Sequence, residues 1–142
     1  MSKLISIVTP CFNEEENVDE LYQRIVASMT TQPYDYEHIF IDNCSTDNTV
    51  KKIKEIAKHD KRVKLIVNSR NFGHIRSPYY GMLQSGGDAC ILIASDLQDP
   101  PEIIVEFIKK WEEGFKIVLS VKVESEESSI MFFLRKAYYR FL

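Results

Sequence analysis

What the chain lacks narrows the field first. It has only three cysteines, Cys11, Cys44 and Cys90, far apart and without a C-x-x-C pair. That argues against a disulfide framework or a zinc site and fits a reducing compartment. No apolar run approaches the roughly 18–20 residues of a membrane span, and the opening MSKLISIVTP has no signal-peptide layout. Internal repeats, low-complexity segments and linkers are missing too. There is no excess of positive charge: the formal net charge is −3, so no basic field points to nucleic acid. What remains is a composition that is 44% hydrophobic and 27% charged over 142 residues, expected to form one cytoplasmic domain, 1–142.

The apolar pattern alternates between short runs and helical stripes. LISIVTP (4–10), HIFI (38–41), VKLIV (63–67), ACILIA (89–94) and KIVLSV (116–121) read as strands. Between them, residues 15–29, a stretch from about Thr46, one from NFGH to about Ser85, and 101–113 read as helices, with a last helix from about Ser129. Strand–helix alternation predicts an α/β fold, a mostly parallel sheet with helices on both faces. ESEES (124–128) reads as a solvated loop. In such sheets ligands sit beyond the carboxyl ends of the strands, so the residues that follow each strand carry the functional information.

After the first strand, in TPCFNEEEN, Asn13 is a candidate helix cap, with Glu14 to Glu16 complementing the helix dipole. Capping leaves Pro10-Cys11-Phe12 unexplained. After the second, in IDNCSTDNT, Ser45, Thr46 or Asp47 suits a helix start, while Asp42 lies before any cap. A carboxylate there suits an acceptor for a nucleobase N–H or a ribose hydroxyl, or is a simple loop acid. After the third, Arg70 and His74 flank a glycine, and Arg70 could face a diphosphate. After the fourth comes SDLQDPPE. Asp99-Pro100-Pro101-Glu102 fits a helix start with Asp99 as cap and Glu102 in a capping box, and Gly114 fits the far end. Asp96 and Gln98 have no such role. An acid directly after an apolar run is expected to be partly desolvated, and a divalent ion held by one or two protein oxygens and phosphates would suit it.

Taken in order, SIVTPCFNEEENV, IDNCSTDNT, SRNFGH, SDLQDPPE and WEEG resemble the N-terminal half of family 2 glycosyltransferases with the Rossmann-like GT-A fold. The likeness is greatest to the polyprenyl-phosphate type, dolichol-phosphate mannosyltransferases and bactoprenol glucosyltransferases. The resemblance implies an inverting transfer of sugar from a UDP- or GDP-sugar to an acceptor such as a polyprenyl phosphate, in cell-envelope glycan synthesis. It implies nucleoside contacts from Pro10, Phe12, Glu14 and Asp42. A polar contact from Asn43 is also possible, and Asp96 with Gln98 would stand at a Mg2+ or Mn2+ ion and the diphosphate.

The chain departs from the family pattern at several points. Ala94-Ser95-Asp96 stands where D-x-D is usual, and Asn43-Cys44 where Asp-Gly is usual. The acceptor half is expected to be missing, so no catalytic base is named. The tail SSIMFFLRKAYYRFL reads either as an interfacial helix, giving peripheral attachment to the inner face of the membrane, or as a helix separated from its neighbours. Two rival readings stay open: a donor-binding but inactive fragment, and a surface-polysaccharide transferase with a saccharide acceptor. A receiver-type signalling domain is disfavoured, because Thr9-Pro10-Cys11 and Asn68-Ser69-Arg70 stand where its acids would be.

Overall fold

The computed structural model describes residues 3–121. Within them the chain runs β1 (Leu4–Cys11), α1 (Val18–Thr30), β2 (Asp35–Asp42), α2 (Thr49–His59), β3 (Val63–Val67), α3 (Gly73–Leu83), β4 (Ala89–Leu92) and α4 (Ile103–Glu112). The strands form one sheet in the order β3-β2-β1-β4, with every pairing parallel. This is the expected Rossmann-like architecture. β1 and β2 are central and almost wholly buried, as strands covered on both faces are; β1 is rich in β-branched residues, whereas β2 buries Glu37 and His38 among its apolar ones.

The pleat divides the core. Ile5 and Ile7 of β1 and Phe40 of β2 pack against Leu21 and Ile25 of α1 and Ile104 and Ile108 of α4. On the other face Val8, Ile39 and Ile41 meet Met82 of α3. α3 sits close because Gly81 faces the sheet: a Cβ there would lie 2.9 Å from Val8 Cγ1 and 3.0 Å from Ile41 Cγ2. After β3 the chain returns across the sheet to place β4 on the far side of β1. That reversal creates a switch point between the carboxyl ends of β1 and β4, where ligands of open α/β sheets bind.

Several local expectations are corrected. α1 begins at Val18, where the Glu14 carbonyl accepts from Asn17 and Val18 N–H; Asn13 does not cap it. α4 begins at Ile103 with no side-chain cap, its first N–H groups held by the carbonyls of Pro100 and Pro101. Glu102 forms no capping box, because its carboxylate is taken by Arg24 of α1 at 2.9 and 2.7 Å. Gly114 does end α4: at φ +97° it donates to Trp111 O, and Phe115 N–H reaches Lys110 O, the paired bonds of a Schellman close. Residues 116–121 form no strand. Ile117, Leu119 and Val121 are 76–80% exposed, and an apolar run without a ladder partner has nothing to satisfy its backbone. The acidic loop 124–128 and the helix from Ser129 lie outside the described residues.

Candidate functional site

Pro10 and Phe12 leave the end of β1, Asp42 and Asn43 the end of β2, Arg70 follows β3, and Asp96 and Gln98 follow β4. All the residues singled out in the sequence therefore fall on one edge of the sheet. β1 and β2 end in register, Cys11 beside Asp42, and Asn43 N–H donates to Cys11 O at 2.8 Å. The β4 end is tied to the same place by Ser95, whose hydroxyl donates to Pro10 O at 2.9 Å. Ser95 is buried, and nothing in its sequence context marks it as the link across the switch point.

Asp42 is fully buried. Its Oδ2 accepts from Cys44 and Ser45 N–H, each at 3.0 Å. Its Oδ1 is shut from solvent and has no hydrogen-bond partner. A buried acceptor left unpaired costs about 1–3 kcal/mol, and such a group in a folded protein calls for an explanation.

The loops after β1 and β2 are stitched together by side chains reaching across to backbone. Ser45 Oγ accepts from Asn13 N–H at 2.9 Å, while Asn13 Oδ1 accepts from Thr46 N–H at 2.8 Å. Glu14 N–H donates to Thr49 Oγ1, and Glu15 N–H to Asp47. The Glu15 carboxylate in turn accepts from Asn48. Thus the Asx- and acid-rich runs that read as caps for their own helices mostly serve the neighbouring loop. Partial desolvation pushes the Asp47 carboxyl up, but bonds from Thr49 and Glu15 outweigh it and leave it below the usual carboxylate range. Glu14 sits half-buried at this seam, its Oε2 taken by Asn17 at 2.7 Å.

Asn43 is buried and has its carboxamide fully engaged. It donates to Asn71 Oδ1 and Gly73 O, and accepts from Asn68 Nδ2 and Phe72 N–H. Its side chain therefore holds the 68–73 loop in place. Arg70, on that loop, is exposed and stacks over the Phe72 ring at 4.6 Å; His74 is exposed at the start of α3. Phe12, 46% exposed, offers an uncovered aromatic face at the end of β1.

Asp96 is exposed, which corrects the expectation of a desolvated carboxylate. Burial alternates along 91–96: Ile91, Ile93 and Ser95 are buried while Leu92, Ala94 and Asp96 face outward. The apolar run belongs to an edge strand with one open side, and Asp96 falls on that side. Its Oδ1 accepts from Gln98 N–H at 3.1 Å. Among the described residues the non-glycine ones with positive φ are Asn13, Cys44 and Leu97, at 57°, 70° and 57°. Each lies in a loop that follows a strand on this edge, and backbone strain of this kind concentrates at binding sites.

Among the described residues no group of three or more His, Cys, Asp or Glu is placed to hold a metal ion. The donors expected at this ion are the exposed Asp96 carboxylate and the neighbouring Gln98. That set cannot cage a cation. It does fit the sparse Mg2+ type of site, in which one or two carboxylates suffice and phosphates and water complete the shell.

Comparisons with known proteins bear on the family and the fold. The model of the family described as glycosyl transferase family 2 matches residues 6–139. The chain is 42% identical over 119 residues to the uncharacterized glycosyltransferase YkcC of Bacillus subtilis, covering 84% of this chain and 37% of that protein. It is 39% identical over 116 residues to the bactoprenol glucosyl transferase of Shigella phage SfV, covering 82% and 38%. Its fold superposes on glucosyl-3-phosphoglycerate synthase from Mycobacterium tuberculosis, solved with Mn2+, UDP and glucosyl-3-phosphoglycerate. The TM-score is 0.58 at 24% identity, over 76% of this chain and 39% of that one. The chain thus spans about two-fifths of the length of the relatives it matches. With the family model matching nearly its whole length, the chain belongs to glycosyl transferase family 2.

Proposed function

We propose that residues 1–142 are the sugar-nucleotide-binding part of an inverting glycosyltransferase that uses a UDP- or GDP-sugar and acts in cell-envelope glycan synthesis. The observation that carries this reading is Asp42: a fully buried carboxylate at the sheet's ligand-binding edge with one oxygen unpartnered. An N–H of a nucleobase or a ribose hydroxyl would complete it, once a small shift of the covering loop uncovers Oδ1. Phe12 would pack on the base, with Pro10 and Glu14 bounding the same pocket. Asn43 would act by fixing the 68–73 loop, so that Arg70 can meet the diphosphate.

Asp96, with Gln98 beside it, would hold a Mg2+ or Mn2+ ion together with the diphosphate oxygens. Such an ion would neutralise charge on the departing nucleoside diphosphate. The Arg70 guanidinium adds a fixed positive charge for the same purpose, one that needs no reorganisation during transfer. The likeness to the bactoprenol glucosyl transferase of phage SfV supports a polyprenyl-phosphate acceptor.

Thermal-shift titration tests the reading. UDP- or GDP-sugar with Mn2+ should raise the melting temperature, as ligands that bind only the folded state do. Asp42→Asn should abolish that shift. No stabilisation by any nucleotide sugar in the presence of metal would overturn the proposal.

A further inference from the structure

Asp96 and Gln98 face solvent, but the residues interleaved with them turn inward. Ser95 is 4% exposed. The Leu97 side chain packs against the core that β1 shares with α1 and α4. It does so at φ +57°, a backbone conformation that leucine seldom adopts. With Leu97 turned in, Asp96 and Gln98 emerge on either side of it, and Asp96 Oδ1 accepts from Gln98 N–H at 3.1 Å.

The strands beneath these residues are unequally supported. β1 stays paired with β2 as far as Cys11 and Asp42. Its pairing with β4 ends at Val8 and Leu92, followed by one bond from Ile93 N–H to Val8 O at 3.0 Å. Beyond that point a side chain takes over from the ladder: the Ser95 hydroxyl donates to Pro10 O at 2.9 Å. The far end of the loop is held separately, by Glu102 on Arg24 at 2.9 and 2.7 Å.

We propose that Ser95 and Leu97 are positioning residues, which fix the spacing of Asp96 and Gln98 from the nucleoside end of β1 and β2. The inference rests on the donor-site reading of Asp42, Asp96 and Gln98. A nucleoside at one end and an ion at the other are joined through one diphosphate. The gain from engaging both at once therefore depends on how firmly the two ends are spaced. Ser95 sets the level of the β4 end against β1, and Leu97 pins the turn so that its two polar neighbours stay outward. Groups that orient a metal ligand in this way typically change metal affinity by about 10–100-fold when removed.

The test is calorimetric titration of the full chain with UDP and with GDP, each in Mn2+ and in EDTA. In the parent, Mn2+ should tighten binding of the nucleotide that the site accepts, and Asp96→Ala should remove that gain. Ser95→Ala and Leu97→Ala should each reduce the gain about tenfold, with the affinity in EDTA unchanged because β1 and β2 remain paired. Leu97→Met keeps an inward side chain of similar volume and should restore the gain. Circular dichroism reports the fold; should Ser95→Ala fail to fold, the Leu97→Ala and Leu97→Met pair decides by itself. Folded alanine variants with the full Mn2+ gain would overturn the positioning role and leave the donor reading intact. Equal weakening in Mn2+ and in EDTA would also overturn it, since it marks support of the fold alone. A parent that binds a nucleotide equally with and without Mn2+ would take the ion away from Asp96 and the inference with it. A parent that binds neither nucleotide under any condition would overturn the donor reading itself.

Discussion

The ends of β1 and β2 and the end of β4 lie on the same edge of one sheet but are constructed differently. At the first, Asn13, Glu14, Glu15, Ser45, Thr46, Asp47 and Thr49 exchange hydrogen bonds between two loops, and Asn43 ties in a third. At the second, Asp96 and Gln98 are exposed, with one local bond between them. Ser95 is the bolt joining the two. Under the proposed function the contrast suits a division of labour. A nucleoside needs a preformed, rigid pocket, whereas a cation and diphosphate bring their own charges and ligands and complete an open side. The polar residues at the first end would support the fold and the proposed site at once; those at the second are spared structural work.

That contrast can be broken at either end. The largest effect is expected at the open one. In the intact enzyme Asp96→Ala should lower turnover by roughly 10²–10³-fold, while the melting temperature moves little, since exposed positions usually change stability by less than about 0.5 kcal/mol. Turnover near the parental rate would remove Asp96 from the proposed site.

At the stitched end stability should respond instead. Asn13→Ala removes the acceptor that holds Thr46 N–H across the seam and should cost about 1–3 kcal/mol in urea unfolding. An unchanged midpoint would show that the seam is not structural.

Acid should expose a group buried beneath that end. His38 is fully buried, its Nε2 against Thr9 Oγ1 at 2.9 Å and its Nδ1 unpartnered. Desolvation lowers its pKa to about 3. With the folded pKa below the unfolded one, its contribution is fully present above about pH 6.5 and is lost as pH falls toward the folded value. Between pH 7 and 4.5 the parent should lose about 1–3 kcal/mol, and His38→Gln should show a shallower decline in melting temperature over that range. Below it, the Asp60 carboxyl adds to the loss. Hydrogen bonds from Arg62, outweighing desolvation, hold it under the ordinary carboxylate range.

The smallest effect tests backbone strain. Cys44 sits at φ +70° in the β2 loop, a conformation that costs a non-glycine residue roughly 1–2 kcal/mol. Cys44→Gly should stabilise by about 0.5–1 kcal/mol after the entropy of a more flexible unfolded chain is subtracted, measured as a raised urea midpoint.

Much of the fold was legible in the sequence because its signals are local. The β-branched runs at 4–10, 38–41 and 63–67 correspond to strands, and Gly114 closes a helix as its position suggested. KIVLSV carries an equally good strand pattern, yet forms none among the described residues. A strand requires a partner, and the periodicity of one segment does not report whether a partner is there. Glu102 and Asn13 misled for a related reason. Their spacing fits a cap on their own helix, but Arg24 and Thr46, distant in sequence, compete for the same oxygens and win.

The sequence by itself determined the alternation of strands and helices, the parallel sheet, and the placing of Pro10, Asp42, Arg70 and Asp96 at or beyond strand ends, since all of these follow from pattern and order. Tertiary structure decided which of those groups keep an open valence. Asp42 is buried with one oxygen unpaired, Asn43 is spent on a loop, and Asp96 faces outward from an edge strand. It also turned the large side of α3 away from the core, because Gly81 must approach Val8 and Ile41 closely. Burial and hydrogen-bond partnership depend on what the chain brings back from far away, and no short stretch of sequence contains that.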